Sequence, residues 1–90
     1  MKAKKNIPIQ MISVCDCDGR IRPIRFRFED EEHCMRTVSI QEVVSEKEIQ
    51  YVGIEAFAYV CRACVEDAKK LFELRYTVRT HKWVLFDELM

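Results

Sequence analysis

Leu71-Phe72-Glu73-Leu74-Arg75-Tyr76-Thr77-Val78-Arg79-Thr80 constrains the fold of this chain more than any other stretch. Phe72, Leu74, Tyr76 and Val78 share one parity, and Glu73, Arg75, Thr77 and Arg79 the other. Successive strand residues face opposite sides, so this is a strand with one buried and one wet face. Its neighbours must then be read against it. In Ile54–Phe72, Ile54, Phe57, Cys61, Val65, Ala68 and Phe72 also recur at helical spacing, and four alanines favour helix. A tight turn at Glu66-Asp67, however, sets Val65 on Ala68, Cys61 on Phe72, Tyr59 on Leu74 and Phe57 on Tyr76. One face becomes apolar apart from Lys70 opposite Ala63, while Arg62, Val60 and Ala58 meet Leu71, Glu73 and Arg75 on the other. Two alternations that agree at one register favour a hairpin. Glu-Asp is a poor pair for left-handed turn positions, so a longer reversal over 66–69, which keeps the parity, is the alternative.

The rest of the chain reads the same way. Ile9–Cys15 is β-rich and Asp18-Gly19 is a hairpin signal, which places Ile9, Met11 and Ser13 opposite Phe28, Phe26 and Ile24. Pro23 marks an edge or a bulge. Val38 and Ile40 share a face in a third strand whose register is open, because Cys34 and Arg36 have the same parity. Ser45–Gly53 is polar and reads as a connection or a short helical turn. A turn at Thr80-His81 sets Trp83 on Val78 and Leu85 on Tyr76. Six strands follow, at about 8–15, 20–29, 33–44, 55–65, 68–79 and 82–87. The expectation is an all-β, single six-stranded antiparallel small barrel, SH3-like or OB-like, since closure removes exposed edges. Its expected core is Ile24, Phe26, Phe28, Val38, Ile40, Phe57, Tyr59, Cys61, Phe72, Leu74, Tyr76, Val78, Trp83 and Leu85.

Three of these segments also carry a likeness. Pro23-Ile24-Arg25-Phe26-Arg27-Phe28, Leu71-Phe72-Glu73-Leu74-Arg75-Tyr76 and His81-Lys82-Trp83-Val84-Leu85 resemble a group of uncharacterised one-domain proteins of about this length from Firmicutes. Those proteins share a P-(I/L)-R-F-R-(F/Y) strand, a (Y/F)-E-L-(K/R)-Y strand and a terminal K-W strand. The resemblance implies a compact β fold and supplies no activity. The chain departs from the group at Glu66-Asp67, where its members tend to have an Asn-Gly-type turn. More loosely, the layout is similar to small domains encoded beside bacterial translesion polymerases.

Ninety residues make one domain, here 7–90 after a flexible basic tail at 1–6. Fifteen basic and fifteen acidic residues cancel, so any attraction to a polyanion must come from a local patch. No apolar run approaches the ~18 residues of a membrane span. Five cysteines in a chain that opens without a secretory h-region imply reduced thiols and a cytoplasmic setting.

Zinc is the sharpest chemical alternative: Cys15-x-Cys17 and Cys61-x-x-Cys64, with His33, Cys34 and His81 in reserve. A strand sends residues i and i+3 to opposite faces, so Cys61 and Cys64 read instead as a small buried hydrophobe and a strand-face thiol. The same geometry disfavours a redox dithiol. Catalysis lacks parts, with two histidines and only Gly19 and Gly53 to build a phosphate loop. No cofactor is implied.

Binding is the class that remains. The expected role is a non-catalytic intracellular adaptor acting through a protein partner or self-association, with the half-apolar outer face Ala58, Val60, Arg62, Arg75, Val84 and Phe86 as its contact surface. The alternative is a nucleic-acid accessory protein that uses Arg20, Arg22, Arg25 and Arg27. The plainer reading of those arginines is cross-strand pairing with Glu29, Glu73 or Asp16. A zinc-thiolate protein comes third.

Overall fold

The computed structural model describes residues 6–89, so the expected basic tail lies, apart from Asn6, outside the described residues. Six antiparallel strands form: β1 (Ile7–Cys15), β2 (Ile21–Glu29), β3 (Met35–Tyr51), β4 (Ile54–Val65), β5 (Ala68–Thr77) and β6 (Lys82–Glu88). They pair in chain order and close into a barrel where Ile7, Pro8 and Ile9 meet Leu85, Val84 and Trp83. The described residues contain no helix, and none is long and apolar enough to cross a membrane.

Local turn chemistry explains the order. In the β1–β2 loop the Asp16 carboxylate accepts the N–H groups of Asp18 and Arg20, and Gly19 takes the left-handed conformation at φ 84°. The β2–β3 loop repeats the device, with the Asp30 carboxylate accepting from Glu32 and Cys34 and His33 at φ 63°. β3–β4 and β4–β5 use two-residue turns, Val52-Gly53 and Glu66-Asp67, with positive φ at both positions. Val52 is strained there, because a β-branched side chain crowds the backbone at φ 52°.

The expected β4–β5 register holds pair for pair, from Val65 on Ala68 to Phe57 on Tyr76. Three expectations are corrected. Ser45–Gly53 is not a connection: β3 runs on to Tyr51, and its pairing with β4 slips at Gln41 and at Val44. Each extra residue reverses parity and bends the strand, and the strongly bent β3 passes from a β2 neighbour to a β4 neighbour. Ile24 is extra in a bulge opposite Ile12 and Ser13, so Ser13 faces Pro23. Pro23 is fully buried in its place, and Ile24 lies outside the core cluster. Finally, β5 stops at Thr77 and residues 78–81 form the turn, so Trp83 faces Tyr76 and Leu85 faces Leu74. That shift of two keeps the parity, and the buried layer survives.

The core is Phe26, Val38, Tyr59, Cys61, Ala63, Phe72, Leu74, Tyr76, Trp83 and Leu85, with Ile7, Ile9, Met11, Ile21, Phe28, Ile40, Val43, Phe57, Val65 and Val78 packed around it. Tyr59 lies 5.4 Å from Trp83 between ring centres and donates its hydroxyl to the Ile21 carbonyl at 2.9 Å. A buried phenol needs such an acceptor. Two charged residues with core parity sit at one rim. Arg36 bridges Asp30 and Glu66 at 2.8 and 2.9 Å, and Lys70 reaches Glu88 at 3.5 Å. The Arg36 guanidinium, with help from the Cys34 N–H, holds the Asp30 carboxyl below its ordinary range.

Candidate binding face

β1, β2 and the first half of β3 present one continuous outer face. Its rows are Gln10–Arg27–Thr37, Ile12–Arg25–Ser39 and Val14–Arg22, with Met35 beside Glu29. Arg25 and Arg27 are two residues apart on one strand face, which spaces their Cα atoms by ~6.6 Å. Between them lies a shallow cleft of about 450 Å³, lined by Gln10, Met11, Ile12, Arg25, Arg27 and Thr37. Arg20 extends the charge into the β1–β2 loop.

The carboxylates expected to neutralise these arginines are engaged elsewhere. Glu73 bonds Arg75 at 2.8 Å, Glu29 meets His33 at 3.2 Å, and Asp16 caps its own loop. Among the described residues, Arg20, Arg22, Arg25 and Arg27 have no carboxylate within ion-pair distance. Apolar groups stand exposed between and beside them: Ile12 at 56%, Met35 at 49% and Val14 at 45%. The β3 members of the face were not singled out in the sequence, since the open register of that strand left Met35 and Arg36 interchangeable.

The other expected face is more self-contained. Ala58 is buried, and Val60, Arg62, Arg75, Val84 and Phe86 are half-buried. Arg75 lies flat on Phe86, its guanidinium carbon 3.5 Å from the ring centre, and pairs with Glu73; Arg62 pairs with Glu42. A cation stacked on a ring covers apolar surface that a partner would otherwise have to cover.

The thiols are scattered. Cys61 is buried inside the barrel, while Cys15, Cys17, Cys34 and Cys64 are exposed. Among the described residues no three His, Cys, Asp or Glu side chains come together in an arrangement that holds a metal ion. Burial pushes the Cys61 thiol up to about 12, far from a reactive thiolate.

Compared with known proteins, the chain matches no family model, no curated protein and no solved structure.

Proposed function

We propose that the protein is a non-catalytic binding module whose outer β1–β3 face engages an acidic protein surface. The observation that carries this reading is the row of arginines left without carboxylate partners in a chain of zero net charge. An unpaired guanidinium is a five-donor fork that fits a carboxylate in two hydrogen bonds. Arginine interleaved with exposed aliphatic groups is also the composition of protein contact surfaces. A protein is favoured over single-stranded nucleic acid because, among the described residues, none of the large exposed hydrophobics is aromatic: Ile12, Val14, Met35, Val44, Val52, Ile54 and Leu89. Non-specific strand binding leans on aromatic stacking platforms.

The test is fluorescence anisotropy at low and high salt with two labelled probes, a glutamate- and valine-rich peptide and a thymidine oligonucleotide. The peptide is expected to bind at low salt, to weaken with salt, and to lose at least tenfold in affinity with Arg25→Glu/Arg27→Glu. Circular dichroism should show the variant folded, since both side chains are exposed. Binding of the oligonucleotide alone would select the nucleic-acid reading. No binding of either probe at low salt would reject the face as an anion site.

A further inference from the structure

Closure of the barrel leaves parts of several strands paired on one side only, the longest of them in β1, β2 and β3. β3 beyond Ile40 pairs only with β4, β2 before Arg25 only with β1, and β1 beyond Ile9 only with β2. A free edge invites another strand, and natural edges are guarded by charge or proline. The β3 edge carries Glu42, Glu46, Lys47 and Glu48, and the β2 edge carries Arg22 and Pro23. β1 has no such guard along its free part. Ile7–Cys15 contains no charged residue, its one proline lies in the part paired with β6, and Ile12 and Val14 are exposed on it.

The free amides can be placed. Asp16 donates its N–H to the Arg20 carbonyl, so by antiparallel alternation Val14 exchanges bonds with Arg22 while Ser13 and Cys15 do not bond to β2. Pro23, the partner of Ser13, has no N–H to give. The amides of Ser13 and Cys15 therefore point out of the free edge. On that side a cleft of about 540 Å³ opens between β1 and the β5–β6 turn, lined in part by Met11, Ser13, His81 and Lys82.

We infer that the free β1 edge pairs antiparallel with the β1 edge of a second copy, joining two barrels through one continuous sheet. The segment is self-complementary in register. A two-fold axis through Ser13 sets Ser13 against its own counterpart and Met11 against the second copy's Cys15, so outward amides meet outward carbonyls. Ile12 then faces the second copy's Val14 in a close pair, and the two exposed aliphatic groups cover each other. The second copy's β1–β2 loop, which carries Asp16 and Asp18, reaches the cleft beside Lys82, where the charges are opposite. A contact five residues long is at the small end of specific interfaces, so the dimer is weak. This inference rests on the free backbone and not on the arginine reading.

Sedimentation equilibrium over a concentration series, with amide hydrogen exchange, tests it. The wild type is expected to approach twice the chain mass as concentration rises to hundreds of micromolar, on the order expected for a small interface. The Ser13 and Cys15 amides should exchange fast in dilute protein and slow at high concentration. Ser13→Pro removes an N–H that nothing inside the barrel uses, and Val14→Lys guards the edge; both should remain folded monomers. Arg25→Glu/Arg27→Glu should dimerise like the wild type. A wild type that stays monomeric, a Val14→Lys variant that dimerises normally, or a mass that climbs without limit would each overturn the proposal.

Discussion

Replacing Phe26 with alanine is expected to lower the thermal midpoint by on the order of 20 °C. Phe26 is fully buried, lies 5.7 Å edge-on from Phe72 and 6.1 Å from Phe28, and pairs with Met11 on one side and Val38 on the other. It is thus a central packing contact between the β1–β2–β3 wall and the β4–β5–β6 wall. Removing a buried phenylalanine costs about 3–5 kcal/mol in lost transfer energy and cavity. A domain of this size has roughly 5–13 kcal/mol in total, so the variant would be close to unfolded at 37 °C. Urea melts of Phe26→Ala beside Ile12→Ala, whose side chain is exposed, measure the difference. Equal midpoints would mean that Phe26 does not join the two walls.

Alkaline pH should destabilise the protein through two buried groups, Cys61 and Tyr59. Burial raises the Cys61 thiol from 9.0 to about 12. Burial first, then the Glu46 carboxylate, raises the Tyr59 phenol from 10.0 to about 12. Both groups stay protonated in the folded barrel at a pH where the unfolded chain has already released its protons. The unfolded state then binds fewer protons, and stability falls as pH rises. The stability is full below pH 9 and is lost between about 9 and 12, first through Cys61 and from pH 10 through Tyr59 as well. At ~1.4 kcal/mol per pH unit for each group, the loss by pH 11 is about 4 kcal/mol. Urea midpoints should be flat from pH 6 to 8 and decline above 9. In Cys61→Ala the decline should begin one unit later. A flat wild-type profile to pH 11 would contradict the burial of both groups.

The hairpin β4–β5 was legible in the sequence pair by pair, because its register is uninterrupted and both parities carry the signal. β3 was legible only as far as Ile40. Its second half has Glu46, Lys47 and Glu48 in succession, and the extra residues at Gln41 and Val44 reverse the parity twice. No single alternation spans such a strand. The Pro23–Ile24 exchange has the same cause: one bulge residue moves a proline into the core and an isoleucine out. Arg36 and Lys70 resemble errors in an apolar face until the barrel has ends, where their carboxylate partners stand. The arginine face was legible as a cluster of residue types. What stayed hidden was that Glu29, Glu73 and Asp16 are committed to other partners, which depends on loop geometry and not on strand parity.

The proposed function rests on the claim that Arg25 and Arg27 do nothing for the barrel itself. Urea denaturation of Arg25→Gln/Arg27→Gln tests that claim most directly. The free energy of unfolding should stay within about 0.5 kcal/mol of the wild type, as for exposed residues without partners. A loss of more than about 1 kcal/mol would mean that the arginines are tied into the fold, and the face would no longer be free to bind.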